Sequence, residues 1–337
     1  MNALKSLFWV SVLVAVLLAV VTVGVLKGGQ AGLVAFGIII PYAALALFVL
    51  GLIIRIVKWI RVPVPFSIST TCGQQKSLTW IKSDPLENPP NKFFVLIRMA
   101  LEVLTFRSLF RNTNIQLTGQ RVIYTSNQLL WLASIAFHYC FLLIILRHLR
   151  FFTEPVLFFV PWLEYGDGLL QIGAPRIYMT GLIIVAALGY LLLRRIMFHQ
   201  LRYISLPSDY LALFLILAVA ISGDLMRYIF KVDVVKVKEL AMGLVTGRYD
   251  LSLLPEIGLP FYIHLFFVSL LVAYFPFSKM THMAGVFLSP TRNLIGASRM
   301  VRHVNPWNYD VDVHTYKEWE EEFKDKLIMA ELPLEEE

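Results

Sequence analysis

Residues 128–150 read QLLWLASIAFHYCFLLIILRHLR, an apolar stretch that ends in a basic cluster. About 20 predominantly apolar residues cross a bilayer, because an α-helix rises about 1.5 Å per residue through a hydrocarbon core about 30 Å thick. The stretch contains His138 and His148, which ten positions of an ideal helix separate by roughly 15 Å in depth. It therefore predicts a membrane helix with one imidazole nearer each surface of the bilayer.

The composition of the whole chain also indicates a membrane-embedded protein. Of its 337 residues, 58% are hydrophobic and 16% are charged, whereas soluble domains carry about 25% charged residues. Apolar stretches long enough to span a bilayer are Leu7–Leu26, Leu33–Ile54, Gln128–Leu146, Ile177–Leu193, Tyr210–Phe230 and Gly258–Phe277. The predicted fold is an all-α, six-transmembrane-helix bundle, with a kink at Pro41.

The first apolar stretch has an alternative interpretation as a secretory signal peptide. It is long for the apolar region of such a peptide, and Lys27–Gln30 after it lack a small-x-small cleavage site. We therefore expect a retained transmembrane helix.

The distribution of Lys and Arg predicts the orientation in the cytoplasmic membrane. The formal net charge is +7, and the bases concentrate in a loop at about residues 55–122, in the connection from Arg194 to Arg202 and at the start of the tail. Because cytoplasmic loops carry an excess of these residues, both termini are expected in the cytoplasm. Within the long loop, residues 94–110 have the periodicity of a surface helix. No basic stripe stands apart from the spans, so nucleic acid is excluded as a partner.

Four of the seven histidines belong to two spans: His138 and His148 to the third, His264 and His282 to the sixth or its end. Ionisable groups at membrane depth are costly and mark functional sites. His264 and His282 are eighteen residues apart, or five turns of an ideal helix, so one face is expected to carry both. Because the third span runs outward and the sixth inward, His148 should face His264 near the outer surface. His138 should then face His282 near the cytoplasmic surface.

Paired imidazoles at two depths predict two b-type haems. Two neutral imidazoles fill both axial positions of a haem iron and leave none open for oxygen, which suits electron transfer. Single membrane histidines can instead donate interhelical hydrogen bonds, but pairing at two depths favours haem. The two cysteines, Cys72 and Cys140, form no Cys-x-x-Cys-His motif, which excludes covalently attached haem, and no disulfide between them is expected.

Charged residues near the outer ends of the spans are further candidates. Arg147, Arg150 and Arg176 either anchor the helices at the membrane interface or pair with haem propionates, since a guanidinium fork suits carboxylates. Asp224 and Arg227 are spaced to pair with each other on the fifth span. Asp224 is alternatively a proton acceptor beside a quinol site, because it lies at the depth of the outer haem.

The histidine spacings resemble those of the gamma-subunit cytochrome b of respiratory nitrate reductase, from Leu33 to the early tail. The resemblance implies that these four histidines ligate two b haems, that quinol is oxidised near the outer haem, and that electrons leave to a cytoplasmic iron–sulfur subunit. The expected domains are an N-terminal helix with a short outer turn (1–32), a dihaem cytochrome b membrane domain (33–285) and a cytoplasmic tail (286–337). The extra first span departs from the nitrate reductase pattern.

A closer resemblance covers nearly the whole chain and involves the DsrM family, the cytochrome b subunits of the Dsr membrane complexes of dissimilatory sulfur metabolism. The runs that carry it are Thr71–Ser77, Arg147–Pro155, Phe287–Asn293 and Arg299–Trp307. It implies haem ligation by the same histidines, menaquinol as electron donor, and an iron–sulfur subunit related to heterodisulfide reductase among other Dsr-type subunits. It also implies, as the final acceptor, a small sulfur-carrier protein that serves sulfite reductase. The basic loop and the tail around Trp307 and Tyr309 offer a docking surface for such a partner.

Three other functions compete with this interpretation. One of them, a purely structural membrane anchor, would leave the four aligned histidines unexplained. The chain could be the dihaem anchor of another respiratory complex, such as a hydrogenase, a formate dehydrogenase or a plain heterodisulfide reductase. The iron–sulfur partner that co-purifies would distinguish these. A proton-coupled transporter would have no visible chromophore and usually has inverted repeats, and the sequence shows no internal repeat.

Overall fold

A computed structural model of the chain describes residues 3–63, 73–168, 175–296 and 313–335. Its α-helices are α1 (Ala3–Lys27), α2 (Gly29–Val34), α3 (Ile40–Ile60), α4 (Lys92–Thr105), α5 (Arg107–Phe110), α6 (Gln128–His148), α7 (Phe159–Asp167), α8 (Met179–Met197), α9 (His199–Ile204), α10 (Pro207–Tyr228), α11 (Val234–Thr246), α12 (Leu259–Tyr274), α13 (His282–Leu288) and α14 (Tyr316–Met329). The strands β1 (Thr113–Thr118) and β2 (Arg121–Ser126) form an antiparallel hairpin.

Helical segments long and apolar enough to cross a membrane are Leu4–Lys27, Gly29–Ile60, Gln128–Phe151, Met179–Met197, Pro207–Tyr228 and Leu259–Phe277. The predicted all-α bundle with six membrane-spanning helices is thereby confirmed. The chain is a multi-pass membrane protein.

The first two spans are joined by a very tight turn. Gly29 has a φ of +56°, and a Cβ on Gly32 would lie 2.1 Å from the carbonyl oxygen of Gly24. Only glycine lets two backbones approach this closely. The turn directs α1 back onto the bundle, where Val21 is fully buried in the same cluster as Tyr262 of α12.

The second span contains a π-helical segment, Ala35–Ile39, immediately before Pro41. Proline has no backbone N–H to donate to the carbonyl four residues earlier, and a wider π-turn accommodates this locally. The irregularity predicted at Pro41 is present in this form.

Helices α6, α8, α10 and α12 meet in a second buried cluster, which positions the site. Cys140 of α6, Leu188 of α8, Leu215 of α10 and Phe267 of α12 are all part of it. Cys140 is a free, buried thiol and acts there as a small apolar side chain.

The sixth span ends earlier than a continuous helix to His282 would require. Helix α12 stops at Tyr274, and two 3-10 turns follow, the first of which contains Pro276. His282 then begins the separate helix α13. The ideal helix used to place His264 and His282 on one face is thus interrupted between them, because proline cannot donate the next hydrogen bond of the helix.

The long loop after the second span is largely structured. Phe106 has a φ of +51° and separates α4 from α5, so the single helix predicted over residues 94–110 is wrong in its last turn. The Glu87 carboxylate pairs with Arg107 at 2.5 Å and also with Arg111. These ion pairs tie the turn-rich centre of the loop to the helices that follow it.

The hairpin and the helices α7 and α11 were not predicted from the sequence. Each is short and lies outside the apolar spans, so neither length nor hydropathy identifies it. Cys72, the whole run Arg299–Trp307, and Tyr309 lie outside the described residues.

Candidate functional site

Helices α6, α8, α10 and α12 enclose a cavity of about 660 Å³, which α11 covers at one end. That volume is typical of small-molecule and cofactor sites, which measure roughly 300–1,000 Å³. Its apolar lining includes Phe141, Ile184, Ile216, Val219, Val237 and Val268. His148 of α6 and His264 of α12 both line it, so the structure brings together the two histidines expected to face each other.

Each imidazole in this cavity has one ring nitrogen already engaged. Nδ1 of His148 lies 2.7 Å from the Ile144 carbonyl oxygen, and Nδ1 of His264 lies 3.0 Å from Ser222 Oγ. A proton on Nδ1 that is donated to these oxygens leaves the Nε2 lone pair available. Metal-ligating histidines almost always show this arrangement.

The other two histidines meet near the middle of α6, where His138 lies. The ring centroids of His138 and His282 are 6.0 Å apart at an interplanar angle of 80°. Their Nδ1 atoms lie 2.7 Å from the Ser134 carbonyl oxygen and 2.9 Å from the Lys279 carbonyl oxygen. The ring centroids of Phe106 and His138 are 4.9 Å apart, so this pair is bounded by an aromatic residue of the long loop.

The donor set suits haem better than a metal held by protein alone. In the described parts of the chain, no group of three or more His, Cys, Asp or Glu side chains could hold a metal ion. The imidazoles instead come in pairs. A haem supplies four ligands from its own ring and needs only axial ligands from the protein.

The polar end of the cavity carries the predicted arginines, which have partners within the chain. Arg147 pairs with Asp167 at 2.5 Å, and Arg150 pairs with Glu164 at 2.5 Å. The Nε atom of Arg147 is nevertheless buried without a hydrogen-bond partner among the residues described. An unpaired buried donor is costly, so the site can accept a further anionic group, such as a propionate. Arg176 lies near the aromatic ring of Tyr165, at 5.8 Å.

Asp224 lines the same cavity. A Cβ on Gly181 would lie 2.6 Å from Asp224 Oδ1, so the glycine makes room for the carboxylate. The predicted pairing of Asp224 with Arg227 is absent from the ion pairs of the described residues. Arg227 instead donates to the Arg176 carbonyl oxygen at 3.2 Å and lies 4.1 Å over the ring of Tyr178.

Sequence reasoning missed Ser222, Gly223 and the covering helix α11. A Cβ on Gly223 would lie 3.1 Å from Cε1 of His264, so the ring packs directly against the α10 backbone. A pair of small residues within an apolar span is the signal that could have found this contact, because small residues mark close helix packing in membranes.

Comparisons with known proteins agree with the sequence resemblance to nitrate reductase. Residues 93–303, which include all four membrane histidines, match the nitrate reductase gamma subunit family. An Archaeoglobus fulgidus protein described as "Hdr-like menaquinol oxidoreductase cytochrome b-like subunit" is 47% identical over 280 residues, 82% of this chain and 84% of that protein. An Archaeoglobus profundus protein of the same description is 45% identical over 278 residues, 80% of this chain and 81% of its own length. The chain therefore belongs to the nitrate reductase gamma subunit family.

Proposed function

We propose that the chain is the dihaem cytochrome b subunit of a menaquinol-oxidising membrane complex, in which it serves as an electron-transfer component. The observation that carries the proposal is the pairing of four imidazoles at two sites with every Nδ1 engaged. Family membership supports haem b as the cofactor, and the description of the Archaeoglobus relatives supports menaquinol as the electron donor.

In this proposal His148 and His264 hold the outer haem, and His138 and His282 hold the inner one. When bound, the haems supply reversible one-electron transfer. Nδ1 hydrogen bonds orient each ring and keep its Nε2 unprotonated. With both histidines of a pair as ligands, a haem iron would have no coordination position for oxygen, so each pair would restrict its site to electron transfer.

The polar end of the outer cavity is where we place quinol oxidation. Conversion of menaquinol to menaquinone releases two electrons and two protons. We assign acceptance of one proton to the Asp224 carboxylate, and the other proton leaves to the outer aqueous phase. Arg147, Arg150 and Arg176 are proposed to hold the haem propionates, and the unpartnered Nε of the buried Arg147 supports this role.

We propose that the chain lies in the cytoplasmic (plasma) membrane with both termini in the cytoplasm. The basic long loop is then cytoplasmic, with α4, α5 and the hairpin facing the interior of the cell. We propose that this side binds an iron–sulfur subunit resembling heterodisulfide reductase. The similarity of four sequence runs to the DsrM family supports a role in dissimilatory sulfur metabolism. The proposed domains are the N-terminal helix (1–32), the membrane domain (33–285) and the cytoplasmic tail (286–337).

A second candidate function is the dihaem anchor of a heterodisulfide reductase, hydrogenase or formate dehydrogenase. The description "Hdr-like" of the two relatives favours the first of these. The iron–sulfur subunit recovered by co-purification from the native host distinguishes the candidates. A proton-coupled transporter is the remaining alternative, and it predicts a colourless protein.

The proposal is tested by a reduced-minus-oxidised visible spectrum of the purified complex with a pyridine haemochrome count. We expect two b haems per chain, both reduced by a menaquinol analogue, and one in His148→Ala. His199→Ala is the matched control, because His199 lies outside the spans and contacts Arg202. No haem in the native complex, or a haem count that His148→Ala leaves unchanged, would overturn the ligand assignment and revive the alternatives of a transporter or a purely structural anchor.

A further inference from the structure

His264 differs from the other membrane histidines in what holds its Nδ1. The rings of His138, His148 and His282 each have Nδ1 within 2.9 Å of a main-chain carbonyl oxygen three or four residues earlier in the chain. Nδ1 of His264 instead lies 3.0 Å from the hydroxyl of Ser222, which belongs to the neighbouring helix α10. Among these four residues, therefore, His264 depends on a side chain that can be substituted.

The direction of this hydrogen bond follows from the other contact of the serine. Ser222 Oγ lies 3.1 Å from the Val219 carbonyl oxygen, to which it donates its proton. A hydroxyl has one proton and two lone pairs, so Ser222 accepts from the Nδ1–H of His264. The Nε2 atom of His264 then carries the lone pair, and the ring lines the cavity it shares with His148.

The backbone beside Ser222 leaves the imidazole little freedom. A Cβ on Gly223 would lie 3.1 Å from Cε1 of His264, so the ring lies directly against α10. The hydroxyl fixes the rotation of the ring and the glycine allows its approach. Both contacts come from two adjacent residues of a single helix.

We infer that Ser222 is a positioning residue that sets the orientation and donor strength of His264, and through it the midpoint potential of the outer haem. The inference rests on the proposed function, in which His264 is a haem ligand. An acceptor on Nδ1–H raises the basicity of a ligating imidazole, which favours oxidised iron. Loss of the Ser222 hydroxyl therefore raises the potential of the outer haem.

The test is a spectroelectrochemical titration of the purified complex carrying Ser222→Ala. We expect both haems to be retained, one of the two midpoint potentials to rise and the other to stay unchanged. The substitution leaves both His148 and His264 in place, so a shift is expected rather than loss of haem. Ser222→Thr restores the hydroxyl and should restore the potential.

Ser269→Ala is the matched control. Ser269 is buried on the same helix as His264, and its hydroxyl donates only to its own helix, to the Leu265 carbonyl oxygen at 2.7 Å. The Ser269→Ala variant should leave both midpoint potentials unchanged. Two unshifted midpoint potentials in Ser222→Ala with full haem content would overturn the inference. Loss of the outer haem in both the Ala and the Thr variants would also overturn it, because Ser222 would then act through packing alone. A native complex without haem would overturn the proposed function and this inference with it.

Discussion

Carboxylates at the polar end of the cavity differ in whether they have a partner. Asp167 pairs with Arg147, and Glu164 pairs with Arg150. Asp224 has no ion pair or hydrogen bond with the residues described, although its carboxylate lines the cavity beside Gly181. A carboxylate that is already paired must break an ion pair in order to take up a proton. Asp224 is therefore the acidic residue best placed to accept one.

Replacement of Asp224 with Asn tests this assignment. The amide has nearly the same shape but cannot accept a proton, so we expect menaquinol oxidation to slow by roughly 10²-fold or more. Haem content should not change, because Asp224 does not contact the imidazoles through any described hydrogen bond. The measurement is the initial rate of haem reduction by a menaquinol analogue in stopped flow.

Glu239→Gln is the control for this variant, since Glu239 is an exposed carboxylate on α11 and should leave the rate unchanged. A native rate in Asp224→Asn would remove Asp224 as the proton acceptor.

At the scale of elements, the sequence predicted what depends on length and hydropathy. The six spans are runs of apolar residues, so their existence follows from the thickness of the bilayer. The positions at which helices are interrupted depend on local contacts that hydropathy does not encode. Phe106 enters the left-handed region between α4 and α5, and the turns around Pro276 end the sixth span before His282.

The candidate site could likewise be predicted only in part from the sequence. The histidine pairs could be proposed because helix periodicity and antiparallel packing bring distant residues to similar depths. His138 and His282 do meet, although the helix between His264 and His282 is broken. Ser222 could not be proposed, because its contact with His264 joins residues 42 positions apart. Such a contact depends on the rotation of α10 about its own axis, and the sequence of that helix alone does not determine it.

The hairpin β1–β2 exposes several of its apolar side chains. Leu117 is 77% exposed, Ile115 is 65% exposed and Tyr124 is 67% exposed. A two-stranded hairpin is marginally stable in water, and apolar side chains on it are typical of a surface that another protein covers. The hairpin lies on the side of the bundle that we propose to face the cytoplasm.

Replacement of residues 114–125 by a short Gly-Ser linker tests the hairpin as a docking element. The linker can close the chain, because Asn127 N lies 3.3 Å from the Asn112 carbonyl oxygen. We expect both haems to remain and the amount of co-purified iron–sulfur subunit to fall at least tenfold. Iron and acid-labile sulfide per haem measure this directly. An unchanged ratio would show that the partner binds elsewhere on the chain.

For the whole molecule, the two histidine pairs define a direction across the membrane. His138 and His148 lie on the same helix α6, ten residues apart, and each meets a partner from the C-terminal part of the chain. The cavity with His148 also contains Asp224, whereas the pair with His138 adjoins the basic long loop through Phe106. The proposed function therefore has quinol oxidation and the delivery of electrons to a partner at opposite ends of the bundle.

Reporter fusions at three positions along the chain test which end of the bundle faces the cytoplasm. Alkaline phosphatase is active only outside the cytoplasm, so we expect activity when it follows Asp250, between α11 and α12, and none when it follows Arg202 in α9 or Glu335 in the tail. The physical reason is the excess of Lys and Arg in the loops assigned to the cytoplasm. Green fluorescent protein fused at the same positions is the control and should fluoresce in the reverse pattern. Activity after Arg202 and none after Asp250 would invert the protein, place Asp224 at the cytoplasmic surface and move quinol oxidation to the same side as the basic loop.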